Sequence, residues 1–102
     1  MSDVASVMDS IVMEEMARLT VSPFNELINL PPYSTKQVVR DDHKFSVTIY
    51  HDPVSLTEHQ IVVQVFTRRW LGLCSWVHVD GFVLKSPTER RDLTDEERWP
   101  YT

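Results

Sequence analysis

The sequence predicts an α+β domain, in which an N-terminal helix and a short second helix pack on a three-stranded antiparallel β-meander that is followed by a short C-terminal helical turn. Three observations carry this expectation. Apolar residues recur at helical spacing from Val4 to Leu19, they alternate with polar residues from His43 to His51, and two further β-rich runs follow, separated by turns. At 102 residues, 42% of them hydrophobic, the chain suffices for one core, so residues 1–102 are read as a single domain.

The first helix follows from Val4, Val7, Met8, Ile11, Val12, Met16 and Leu19, which recur every three or four residues and so share one face. Ser2 or Asp3 can cap its start, and Asp9, Glu14, Glu15 and Arg18 occupy the polar side. Ser22 before Pro23 reads as an N-cap followed by proline in the first turn, with Phe24, Leu27 and Ile28 as the apolar face of a second, brief helix. Pro31 and Pro32 end it, since proline lacks an amide hydrogen and forces the preceding residue out of helical geometry. Residues 31–42 are a connector, within which Thr35–Arg40 fits either a turn of helix or a short edge strand.

Phe45, Val47 and Ile49 alternate with Lys44, Ser46 and Thr48, the period of a half-buried strand. Asp52 and Pro53 open a loop through Thr57, and residues 59–68 form a second strand. A turn at residues 69–73, around Gly72, leads to a third strand over Cys74–Lys85, rich in Val, Trp and Phe. Asp80 and Gly81 inside this run suggest a bulge or kink. Thr94 and Glu97 have the spacing of a capping box, which predicts one helical turn ending near Trp99.

Pairing Ile49 with Ile61, Val47 with Val63, and then Val63 and Val65 with Val79 and Val77 makes one aliphatic face for the first helix. The opposite face then carries Thr48, Tyr50, Val62, Gln64, Phe66, Arg68, Trp76, His78 and Asp80. Tyr50, Phe66, Arg68, Trp76 and His78 are the candidate binding residues, because large aromatics and arginine on a sheet face need either a cover or a partner. Arg69 and Trp70 sit at the end of this face. A covering tail with Trp99 and Tyr101, or the second helix with Phe24, is one reading. A foreign protein and a second copy of the chain are the others.

The net charge of -5 argues against double-stranded nucleic acid as the partner, because affinity for phosphates comes from cations. Helix, three strands, helix is the element order of double-stranded-RNA-binding modules, but here the last helix opens Asp95, Glu96, Glu97 where a basic start is needed. The longest apolar runs span only a few residues, such as Ile61 to Val63, so no membrane span is expected. Asp3 and Asp9, with no basic start or apolar run, argue against a secretory leader. Cys74, the single cysteine, cannot form an internal disulfide and reads as a small buried hydrophobe, so a reducing cytoplasm is expected.

His51 and His59 flank the first hairpin loop beside Asp52 and Glu58, a weak zinc pattern that ranks below ordinary surface histidines. His43 completes the four histidines open to metal or proton chemistry, and His78 between Trp76 and Asp80 ranks as a packing residue before a proton carrier. Ser34 and Thr35 lack a nucleophile-elbow context, and two glycines cannot build a phosphate-cradling loop. No catalytic residue, metal or cofactor is therefore assigned. The expected function is that of a small accessory or regulatory protein acting through another protein or through self-association. The alternatives are a small-molecule or single-stranded nucleic-acid binder stacking on Tyr50, Phe66 and Trp76, and a metal-dependent enzyme built on the histidines.

Overall fold

The computed structural model describes residues 4–40, 42–69, 74–86 and 88–102. Helix α1 spans Val4–Thr20 and α2 spans Phe24–Leu27. Strands β1 (Tyr33–Arg40), β2 (His43–Pro53), β3 (His59–Arg69), β4 (Cys74–Ser86) and β5 (Glu89–Asp92) form one antiparallel sheet in chain order. A helical turn α3 (Asp95–Arg98) and a 3₁₀ turn (Trp99–Tyr101) follow. The α+β class and the meander agree with the sequence, but the sheet has five strands where three were expected. The caps at Ser2 or Asp3 and residues 70–73 of the expected turn, with Trp70 and Gly72, lie outside the described residues, as does the expected burial of the Cys74 side chain, while Arg69 ends β3.

The apolar stripe of α1 does what its spacing implies: Val4, Met8, Ile11, Val12 and Leu19 are buried against Phe45, Val47, Ile49, Ile61, Val63, Val65, Phe82 and Leu84. The helix stops where the Ser22 amide turns back to the Leu19 carbonyl, 3.2 Å, and the Ser22 hydroxyl to that of Arg18, 2.9 Å. In α2 the N-cap is Pro23 in extended geometry, not Ser22 as expected, and no side chain caps it.

The segment that fitted either helix or edge strand is β1, paired along its full length with β2 from Tyr33↔Tyr50 to Arg40↔His43. It is nearly all exposed, so its sequence shows no core-facing period. Ion pairs to α1 fasten it: Lys36 to Glu15, which Arg18 also holds at 2.8 Å, and Arg40 to Glu14 at 2.9 Å. Burial opposes ionisation of Glu15, and the two cations outweigh it and keep the carboxyl below its ordinary range. Strand β5 is Glu-Arg-Arg-Asp, without an apolar residue, and pairs with the end of β4 across a register shift between Leu84 and Ser86.

In the β2–β3 pair Ile49 faces Val63 and Val47 faces Val65. That is two residues from the expected pairing, so the facial assignment survives. In the β3–β4 pair Val63 faces Asp80 and Val65 faces His78. An odd shift moves every side chain to the other face, so Trp76, His78, Asp80, Phe82 and Leu84 share the α1 face while Val77, Val79 and Val83 lie opposite. The expected match of Val77 and Val79 with Val65 and Val63 is therefore wrong. Aligning valine with valine overlooked the larger payload of Phe82 and Leu84, which α1 buries.

Gly81 is not a bulge, since pairing runs unbroken through Val62↔Gly81. It is a point of close approach: a Cβ there would stand 2.2 Å from the Ile61 carbonyl oxygen and 2.9 Å from Leu93 Cδ1. Leu93 thus seats on the second face beside Val62 and Val83, with Tyr50, Val79 and Tyr101 around them.

Candidate functional site

The five residues expected to form one binding face are divided by the sheet. Tyr50 and Phe66 lie on the face away from α1, and Trp76 and His78 lie on the α1 face. The Arg68 backbone pairs opposite Ser75.

Tyr50 is occupied by the chain itself. The Tyr101 ring packs on it at 5.0 Å, the Tyr50 hydroxyl donates to Gln64 Oε1 at 3.1 Å, and Gln64 Nε2 donates to the Tyr101 carbonyl at 2.6 Å. Burial pushes the Tyr101 phenol above its ordinary range. The tail is aimed there by the predicted capping box, in which the Glu97 amide donates to Thr94 Oγ1 and the Thr94 amide to Glu97 Oε1. Arg91 binds both Glu97 oxygens, at 2.6 and 2.8 Å, and this pair chiefly draws the carboxyl down to about 2. Tyr101 is thus part of a cover, whereas Trp99, the other residue expected there, is 78% exposed. Phe66 lies on the same face in a row with Gln37, Ser46 and Val77. A shallow cavity of about 410 Å³ there is lined by Gln37, Lys44, Ser46, Phe66 and Thr67.

The histidines of the first hairpin do meet. His51 Nδ1 donates to the Leu30 carbonyl at 2.8 Å, so in neutral His51 the bare Nε2 accepts from His59 Nδ1, also 2.8 Å away. The rings stack at 5.0 Å. Burial, helped by the neighbouring imidazole, holds His59 below its ordinary pKa. Both nitrogens of His51 are engaged, and among the described residues no three His, Cys, Asp or Glu side chains form a metal-holding group. The pair fastens the segment after α2 to the sheet.

The α1 side of β4 holds a groove that the sequence did not single out. One cavity of about 350 Å³ is lined by Asp9, Val12 and Met13 of α1 with His78, Val79 and Asp80 of β4. A second, of about 340 Å³, continues along the helix and is lined by Met16 and Thr20 with Phe82, Arg90, Arg91 and Asp92. His78 Nδ1 donates to Asp9 Oδ1 at 2.6 Å, tying the walls together. Asp80 accepts from the Gly81 amide at 2.8 Å and from Arg98 at 3.3 Å. The Arg90 guanidinium lies 5.1 Å from the centre of the Phe82 ring. Met13 stands 70% exposed on the helix and Trp76 37% exposed on the strand. The available signal was Met13 itself, an apolar residue off the α1 stripe.

This arrangement offers apolar Val12 and Met13 with Asp9 and Asp80 around them and a half-exposed indole on the same face of β4, which suits binding to another surface. No helix among the described residues is long and apolar enough to cross a membrane. Compared with protein-family models, curated proteins and solved structures, the chain matches none.

Proposed function

We propose that the protein is a small accessory or regulatory module, without catalysis of its own, that binds another polypeptide through the α1–β4 side of its sheet. The supporting observation is two exposed apolar side chains on this side, Met13, which lines a cavity together with Val12, and Trp76, two residues before His78 of the same cavity on β4. Contiguous apolar surface next to a cavity is the usual character of an interface core, and tryptophan supplies large contact area for little lost entropy. The single cysteine suits work in a reducing cytoplasm.

The alternative of a base-stacking platform has less support, because Phe66 and Trp76 point to opposite faces and Tyr50 lies under Tyr101. A metal enzyme on the histidines is likewise less favoured, since His51 spends both nitrogens on Leu30 and His59.

The test uses the protein recovered with this chain from its native host and identified by mass spectrometry. Trp76→Ala and Met13→Asp should each weaken that complex at least tenfold while leaving the melting temperature within a few degrees of the parent. Unchanged affinity in both variants would remove the interface from this side of the sheet.

A further inference from the structure

The fifth position of the sheet is only half filled. Strand β4 runs from Cys74 to Ser86, yet β5 pairs with it only over Phe82–Ser86 before the chain leaves at Leu93 for the opposite face. Over Val77–Gly81 one flank of β4 binds β3. No strand among the described residues pairs with the other flank. The gap is as long as a segment of about five or six extended residues, roughly 17–20 Å.

Unpaired flanks invite strand addition unless charge, proline or a cover blunts them. At the other edge of the sheet, β1 carries Lys36 and Arg40, both tied to α1 by ion pairs. The flank of β4 reads Val77-His78-Val79-Asp80-Gly81, without lysine or proline, and its one carboxylate, Asp80, is taken by the Gly81 amide and Arg98.

A segment laid along this flank would turn every second side chain toward α1 and into the cavity of Asp9, Val12, Met13, His78, Val79 and Asp80. Val12 and Met13 there suit an aliphatic stem. The rim carries Asp9, which His78 holds, and Asp80, which Arg98 holds, their side chains still 68% and 42% exposed, and Asp92 stands beside Arg90 where β5 ends. A long cationic side chain satisfies both, its stem on Met13 and its head at the carboxylates. A second copy of this chain would bring the same carboxylates and another net charge of -5 to the same place, which opposes pairing β4 with β4.

We infer that the part of the fifth strand position left open beside β4 receives an extended, lysine- or arginine-bearing segment of a partner protein, paired backbone to backbone with Val77–Val79. This rests on the reading that the protein binds a polypeptide. It adds the mode of binding and the chemistry of the bound segment.

The probes are two synthetic nonapeptides, one alternating valine with lysine and one alternating valine with glutamate, followed by residue-resolved amide exchange. The lysine peptide should slow exchange of the outward-pointing amides within Val77–Val79 at least tenfold and should bind at least tenfold tighter than the glutamate peptide. Salt should weaken it. The double variant Asp9→Asn, Asp92→Asn should bind the lysine peptide several-fold more weakly, with the fold intact by circular dichroism. Equal affinity for both peptides would overturn the charge assignment. Protection that grows with protein concentration and needs no peptide would give the position to a second copy instead. If the native partner still loses affinity to Trp76→Ala while these amides exchange as in the free protein, strand addition fails and the proposed interface stands. If neither changes, both fail.

Discussion

Helix α1 closes one face of the sheet with seventeen residues and a layer of buried aliphatic side chains, whereas the opposite face is closed by Leu93, Tyr101 and a set of hydrogen bonds. On the first face contact comes from burial, which is non-directional and tolerates small shifts. On the second it depends on placed donors and acceptors: Gln64 to the Tyr101 carbonyl, Gln60 to its hydroxyl, and Arg91 to Glu97. The helix face should therefore govern whether the chain folds, and the tail face how well one end of it is sealed.

The most severe test of that contrast is Val63→Asp. Val63 is wholly buried in the layer under α1, and a carboxylate there finds no partner, at a cost of about 4 kcal/mol or more. Loss of native circular dichroism at 25 °C is expected, and a folded variant would show that the helix face does not govern. Deleting residues 94–102 uncovers Tyr50 and part of Val62 and Val83, for a loss of roughly 2–3 kcal/mol. Denaturant melts should show a folded but weakened domain. Gly81→Ala forces a methyl toward the Ile61 carbonyl and Leu93, and should cost roughly 2 kcal/mol. In the background of the tail deletion its penalty should persist, because the closer clash is with the sheet itself.

Acid should separate the faces more gently. Glu97 ionises in the folded protein at about 2 against an ordinary 4.5, so its contribution is complete above 4.5 and is lost as pH falls toward 2. The Tyr101 ring signals should shift through that window before the helix unfolds, and Glu97→Gln should abolish the shift. The smallest effect expected is at His59, whose pKa in the fold lies below its ordinary 6.5. An imidazole held neutral by the fold contributes fully above 6.5, and the contribution declines as pH falls below that value toward the folded pKa. Melting temperature should thus fall slightly below pH 6.5, and His59→Gln should flatten the slope.

What could be read from the residues follows the same division. The stripe of α1, the alternation in β2 and the capping box at Thr94 are local patterns, and each appears in the structure where it was expected. Strands β1 and β5 have almost no buried apolar residues, so neither shows a hydrophobic period. Their pairing comes from short connections and from neighbouring strands, which composition does not record. The candidate face depended on the parity of β4, and parity depends on the connection from β3, where the sequence offers no register signal. One odd shift moved Trp76 and His78 from the side of Tyr50 to the side of α1. Tyr101 as a cover was legible as an option, while the groove beside Asp9 and Met13 required knowing which side of α1 meets β4.

Because each strand pairs with the next in sequence, the sheet can assemble by short loop closures, and such local pairing is fast. The helix is the exception, for its Asp9 meets His78 across 69 residues and its stripe needs Phe82 and Leu84. During synthesis α1 is made first and waits for β4. At about 5–20 residues per second its apolar side stays without its sheet for roughly 3–13 seconds, an interval in which a holding chaperone would find this helix, and not the strands, as its natural substrate.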